Sequence, residues 1–406
     1  MSQLIHDDTI EHHANARVCR DTAFAKRLRA VLTQQDMQMA RDEIRTWPGY
    51  HVTPLVELSG IAKRANIADI HYKDEDKRFD LHSFKALGGA YAVLRLLKRQ
   101  LPSATTEELL AGTHRDAAAH VTVCCATDGN HGRSVAWGAH LFGVGCVIYL
   151  HHTVSHARES AIRRFGAEVR RVQGNYDDAI RQAAKDADTH GWFVVSDTSY
   201  PGYMSIPRDV MQGYTVMIDE AVQQLPQVPT HCFIQGGVGG LAAATVAQLW
   251  EAYGDRCPRI IVVEPDRAAC LIASAREGRP TPVHGDLDTL MAGLACGETS
   301  LLAWEILDQG VDDYLTITDN AAVEAMRLLA EGIDGDPPLV AGESAVAGLA
   351  GLLIARQDDA LSARLGLDID SRVLLIGSEG ATDQALYEQL IGRAVEDIDT
   401  GATQHA

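Results

Sequence analysis

From about residue 120 onward the chain alternates short β-branched apolar runs with longer stretches whose apolar positions recur at helical spacing. "HVTVCCAT", "GCVIYLH", "EVRRVQG" and "WFVVSD" read as strands; "SVAWGAHLF", "ARESAIRRFGA" and "YDDAIRQAAKDADTHG" between them read as helices. The alternation resumes with strand-like "THCFIQGG", "RIIVVEP" and "RVLLIGSEG", separated by helical "MQGYTVMIDEAVQQL", "LAAATVAQLWEAYG", "DNAAVEAMRLLAEG" and "SAVAGLAGLLIARQ". This βα order predicts an α/β protein with mostly parallel sheets flanked by helices on both faces. A length of 406 residues predicts two domains. The closing "VEDIDTGATQHA" loses apolar periodicity and is acidic, which predicts a flexible tail over about 391–406.

Composition narrows the partners. A formal net charge of −19 argues against nucleic acid or an anionic membrane, both of which need a basic face, and favours a small-molecule ligand. No long apolar run and no export-type leader is evident, so a cytoplasmic protein is expected. The eight cysteines form no CxxC pair, which fits a reducing compartment and no zinc site. "HHTVSH" (151–156) has three histidines but no acid or cysteine at zinc spacing, so no metal is expected. The Glu75-Asp76-Lys77-Arg78 run reads as a solvated charge cluster.

Three loops interrupt the alternation with glycine and polar residues just after an apolar run, where α/β sheets place their ligands. "ATDGNHGRS" (126–134) offers Asp128 and Asn130 to a crevice, or is an ordinary capped βα turn. "QGGVGG" (235–240) has unhindered amides suited to a phosphate, or only permits close helix-strand packing. In a dinucleotide reading, Glu264 after the next strand would be the ribose ligand. "LLIGSEGATD" (374–383) places Ser378 where a hydroxyl could meet a ring nitrogen, or where it merely caps the next helix. Lys85, within "DLHSFKALGGAYAV" (80–93), starts an apolar helix beside Phe84. Lysine there either snorkels to water or is a desolvated amine of lowered pKa, able to form a Schiff base with an aldehyde cofactor.

"SFKALGG", "TDGNHG", "QGGVGG", "EPD" and "GSEG" stand in the order used by the tryptophan-synthase-β-like (fold type II) pyridoxal phosphate enzymes, which the chain resembles throughout. "VTPL", "KDEDKRF", "ATDGNHGR", "DTSYPGY", "IPRDVMQGY", "MAGLACGE" and "GESAVAGL" extend this to a resemblance to the diaminopropionate ammonia-lyase family over about 45–390. The resemblance implies pyridoxal 5'-phosphate as cofactor, joined to Lys85 and flanked by Phe84. Asn130 would bond its phenolic oxygen, and the amides of Gly236, Gly237, Val238, Gly239 and Gly240 its phosphate. Ser378 would face the pyridine nitrogen; a neutral hydroxyl there leaves the ring unprotonated, which favours β-elimination. Glu343 would approach the ring or substrate, unless it is simply an acid in the first turn of a helix.

The same resemblance implies the reaction, elimination of ammonia from 2,3-diaminopropionate to give pyruvate and ammonia. Lys85 and Asp128 would remove the α-proton of the L and D forms from opposite faces; Asp128 would also pair with the β-ammonium, giving a reason to prefer diaminopropionate, and Asp197 would help bind it, though a turn-forming role for Asp197 stays open. It further implies a homodimer, a large cofactor domain (1–88 with 200–390), a small inserted domain (89–199), and an active site in the cleft between them. Two other functions stay open: a serine, threonine or hydroxyaspartate dehydratase, and a non-catalytic nucleotide-binding or regulatory protein.

Overall fold

The computed structural model describes residues 4–5, 9–127, 129–152, 154–174 and 176–398; Asp128 lies outside the described residues. In chain order the strands are β1 (His12–Ala14), β2 (Leu55–Glu57), β3 (Asp69–Asp74), β4 (Thr122–Ala126), β5 (Gly145–His151), β6 (Glu168–Val172), β7 (Phe193–Val194), β8 (His231–Gln235), β9 (Arg259–Pro265), β10 (Asp313–Ile317) and β11 (Arg372–Gly377). Among the described residues they form a seven-stranded sheet, β1-β10-β9-β8-β11-β3-β2, and a four-stranded sheet, β6-β5-β4-β7. The small sheet is parallel throughout, and the large one is parallel except for its two edge strands. This is the α/β architecture, with helices over mostly parallel sheets, that the alternation predicts.

Burial explains the strand sequences. Ile260 to Val263 of β9 are completely buried between β8 and β10, as expected of a parallel strand covered on both faces. The helix Ala347–Gln357 lies close on one face because Gly348 and Gly351 leave room: a Cβ at Gly348 would lie 2.8 Å from the Phe233 carbonyl oxygen, and one at Gly351 2.9 Å from Val263. β3, "DIHYKD", escapes the apolar pattern although it is almost wholly buried.

The reason β3 tolerates Lys73 corrects the reading of residues 75–78 as a solvated cluster. Arg78 is 1% exposed and Glu75 is fully buried. The Arg78 guanidinium donates to Glu75 at 2.8 Å and to both oxygens of Glu220 at 2.9 and 2.7 Å. Lys73 Nζ lies 2.8 Å from Glu220 and donates to the Thr53 carbonyl and Gln224, each at 2.8 Å. Two cations thus face two carboxylates, with Tyr50 and Thr53 also bonding the acids. Charges survive burial only when paired and hydrogen-bonded in this way.

The cluster anchors a difficult piece of backbone. Phe79, Asp80 and His82 all have left-handed φ, from 51 to 54°. Each such non-glycine residue costs about 1–2 kcal/mol. Phe79 is held against Trp137 at 4.7 Å between ring centroids, and His82 bonds Asp76 at 2.8 Å. The strained stretch leads directly into the helix that begins at Lys85.

No helix among the described residues is long and apolar enough to cross a membrane. Within 391–398, Arg393 bonds the Ala330 carbonyl, Val395–Asp397 form a short turn, and Ile398 is 5% exposed. Residues 399–406 lie outside the described residues.

Arg78→Met would leave two buried carboxylates facing Lys73 alone. We expect a loss of about 3–5 kcal/mol in urea unfolding of the variant. A loss under about 1 kcal/mol would show that the cluster does not hold this region.

Candidate active site

Lys85 stands at the head of the helix Lys85–Gln100, and the preceding segment is tied to the end of β11. Phe84 N–H donates to the Ser378 carbonyl, Gly380 N–H to the His82 carbonyl, both at 3.0 Å, and Ser83 bridges Glu379. The lysine helix is gripped by Asn130–Phe142 and Ser205–Gln224. A Cβ at Gly88 would overlap Tyr214, one at Gly213 the Leu87 carbonyl, and one at Gly138 would come within 2.6 Å of Ala90. These close crossings set the Lys85 Cα between the carboxyl ends of both sheets.

Lys85 Nζ lies 2.5 Å from Asp197 Oδ2, the side chains being 18% and 16% exposed. It also sits 5.5 Å from the centre of the Phe84 ring and 5.9 Å from that of Tyr214. The expected lowering of its pKa is wrong for the free amine. Burial pushes it down, but the Asp197 carboxylate, by charge and hydrogen bond, together with Tyr214 and Cys296 overcomes burial and holds Lys85 well above the ordinary range. Burial likewise pushes Asp197 up, and Lys85 with His131 overcomes it, holding the carboxyl well below the ordinary range. Asp197 is therefore an ion-pair partner in the cleft as well as a residue following β7.

His131, next to Asn130, was not singled out by its sequence. Its Nε2 lies 2.8 Å from the Val195 carbonyl, so the ring carries its proton there and turns Nδ1 toward Asp197 at 3.8 Å. Burial lowers its pKa, and Lys85 adds to that effect, whereas Asp197 opposes it. Position beside Asn130 in "TDGNHG" was the one available signal.

Asn130 begins the helix Asn130–Phe142. Its Nδ2 donates to Glu379 and its Oδ1 accepts from Arg133 at 3.1 Å. Glu379, in the "GSEG" turn, also accepts from Ser344 N–H at 3.1 Å. Nearby, Arg158 donates to Glu343 at 3.1 Å, and Ser155 to Asp383 at 2.8 Å. Glu343 is pushed up to about 7 by burial and by Glu379, against the pull of Arg158. It precedes the helix Ala347–Gln357 by four residues and so is not an acid of its first turn.

The glycine loop joins β8 to the helix Gly240–Tyr253. Packing demands glycine at Gly236, where a Cβ would lie 2.7 Å from Val262, and backbone demands it at Gly239, with φ of 100°. At Gly240 the nearest atom to such a Cβ is 3.7 Å away, on Met211, so protein packing does not require glycine there. That space opens at the start of a 14-residue helix, whose first-turn amides have no partners within the helix. Gly237 abuts Gly293 of the "MAGLACGE" block, and Val238 accepts from Ser300 N–H at 2.9 Å.

Ser378 is 3% exposed and accepts from Gln235 Nε2 at 2.7 Å. It does not cap the following helix, whose N-cap is Asp383. Glu264 is also resolved: fully buried, it accepts from Leu271 and Ile272 N–H at 2.8 Å each, capping the helix Cys270–Glu277. An acid so engaged is not available to a ribose, which removes the dinucleotide reading's distinctive ligand. Among the described residues no group of three His, Cys, Asp or Glu side chains could hold a metal.

The residues fit a phosphorylated aldehyde cofactor. An amine able to bond an aldehyde lies in one cleft with an anion-ready glycine loop. Two buried polar atoms there, His131 Nδ1 and Gln235 Oε1, have no hydrogen-bond partner. Such orphans are costly unless a ligand or water supplies one.

Comparison with known proteins agrees. Residues 46–378 match the family model described as "Pyridoxal-phosphate dependent enzyme". The chain is 39% identical over 370 residues to diaminopropionate ammonia-lyase of Escherichia coli K12, covering 89% of this chain and 92% of that protein. A crystal structure of the Escherichia coli enzyme with an aminoacrylate-PLP azomethine reaction intermediate superposes with a TM-score of 0.87 at 36% identity, over 95% of this chain and 98% of that one. The same enzyme with D-serine superposes with a TM-score of 0.86, over 94% and 97%. The chain belongs to the pyridoxal-phosphate-dependent enzymes, and within them to the diaminopropionate ammonia-lyase family.

Proposed function

We propose that this chain eliminates ammonia from 2,3-diaminopropionate, in its D and L forms, giving pyruvate and ammonia. The observation that carries the substrate is the Asp197 carboxylate, held as an anion 2.5 Å from Lys85 Nζ. Bound pyridoxal phosphate supplies an electron-withdrawing system that makes the substrate's α-hydrogen acidic. Lys85 would hold the cofactor through Nζ, and would be a free amine again with substrate bound. While Lys85 is so engaged, its ammonium no longer balances Asp197, and the carboxylate is free to take the substrate's second ammonium.

Once released, Lys85 regains its proton affinity beside Asp197 and takes the α-proton of the L form. Asp128 is proposed to take that of the D form. Ammonia leaves carbon only while its nitrogen remains protonated, and an adjacent anion keeps an ammonium charged. A hydroxy amino acid brings no second cation to Asp197, and this disfavours the dehydratase reading.

Phe84 flanks the cofactor in this reading, Asn130 bonds its phenolic oxygen, and Gly236, Gly237, Val238, Gly239 and Gly240 hold its phosphate. Ser378 faces the ring nitrogen. The clamp of Glu379 and Arg133 on Asn130 supports that role by fixing which way the amide turns. The proposal includes a cytoplasmic homodimer, with 89–199 as the smaller domain closing over the substrate held by 1–88 and 200–390.

The test is release of pyruvate and ammonia from D- and L-2,3-diaminopropionate, with L-serine and L-threonine alongside. Diaminopropionate should be strongly preferred. Turnover of the hydroxy amino acids alone would overturn the assignment.

Asp197→Asn should lower kcat/KM for diaminopropionate by about 10²–10⁴-fold and that for L-serine much less. Equal losses on both substrates would remove Asp197 from ammonium binding. Asp128→Asn should lose the D form selectively, and parallel loss of both enantiomers would contradict a base on each face.

A further inference from the structure

Gln235 ends β8 and Ser378 follows β11, its parallel neighbour, so the two side chains meet at the carboxyl edge of the large sheet. Both are nearly inaccessible, at 2% and 3% exposure. Gln235 Nε2 lies 2.8 Å from the Ile376 carbonyl oxygen and 2.7 Å from Ser378 Oγ, with the Ala345 carbonyl oxygen at 3.5 Å. Gln235 Oε1 has no partner.

A carbonyl oxygen only accepts, so the amide nitrogen, not its oxygen, must face Ile376. The nitrogen's contacts therefore choose the amide's orientation, even at the expense of an unpartnered Oε1. One hydrogen goes to Ile376 and the other to Ser378. The Ser378 oxygen is then an acceptor toward Gln235, and its own hydrogen must go elsewhere. No acceptor among the described residues takes it.

We propose that Gln235 is a positioning residue that fixes the Ser378 hydroxyl as a donor toward the ligand, and thereby keeps the cofactor's ring nitrogen unprotonated. This rests on the reading above that Ser378 faces that nitrogen. An unprotonated nitrogen accepts the stranded hydrogen. A protonated one would demand a lone pair from Ser378 and leave the hydroxyl hydrogen buried without an acceptor, which is unfavourable. Without the Gln235 amide, the Ser378 hydroxyl is no longer held as a donor toward the ligand and can rotate to offer a lone pair to a protonated ring. The direction follows: loss of Gln235 makes the ring easier to protonate, strengthens its electron withdrawal, and loosens the commitment to elimination.

The experiment is ¹⁵N NMR of holoenzyme loaded with pyridoxal phosphate labelled at the ring nitrogen, followed against pH. Wild type should show the unprotonated signal throughout the range in which the holoenzyme is stable. Gln235→Leu should raise the protonation midpoint by about one pH unit or more. Gln235→Met, closer in volume, should do the same and guards against a folding defect. Ser378→Asp, with a carboxylate at that position, should give the protonated signal.

A protonated nitrogen in wild type overturns the proposal whatever the variants do. A wild-type titration in both Gln235 variants, with Ser378→Asp protonated, overturns the role of Gln235 and spares the placement of Ser378. An unchanged signal in Ser378→Asp shows instead that Ser378 does not face the nitrogen, so that the reading beneath the proposal fails.

Discussion

The contact between Lys85 and Asp197 is the constraint around which the site is arranged. A half-buried ammonium and carboxylate at this short range stabilise each other, and each holds the other charged. The lysine comes from the start of a helix tied to β11, and the acid from the chain just past β7, so the pair spans the two sheets. Whatever takes Lys85 away from Asp197 leaves a half-buried anion in need of a cation. A substrate with a second ammonium meets that need, and this links the ion pair to the choice of leaving group.

Much of the surrounding structure serves to place one amine. The glycine crossings hold the lysine helix close to two neighbours, and the three left-handed residues before it turn the chain sharply into the cleft. That turn is anchored by Arg78, Lys73, Glu75 and Glu220, a balanced set of buried charges of which three lie within residues 73–78 and the fourth comes from far along the chain. Buried ion networks of this kind add little net stability, but removing one member is costly, so they hold one geometry against others. Strain near Lys85 and charge beneath it are two parts of the same local arrangement.

The parallel core was legible because its strands are apolar and its helices periodic. β3 was not, since His71, Lys73 and Asp74 break the pattern, and Lys73 is buried only because Glu220, far along the chain, supplies a partner. For the same reason Glu75 to Arg78 read as surface: a charged run carries no local mark of a distant counter-charge. In the site, Lys85 and the glycine loop stood out because lysine in an apolar helix start and clustered glycines are locally unusual. His131, Gln235 and Tyr214 did not, since their significance lies in contacts and orphaned atoms that only the fold creates. The pKa of Lys85 was misjudged from burial alone, because Asp197 is 112 residues away in sequence and 2.5 Å away in space.

The account stands on Lys85 as the point of cofactor attachment. Reduction of the holoenzyme with borohydride makes that bond permanent, and mass mapping of the digested protein locates it. The pyridoxyl group is expected on the peptide containing Lys85 and nowhere else. Its appearance on another lysine, or failure to form any covalent adduct, would contradict the account.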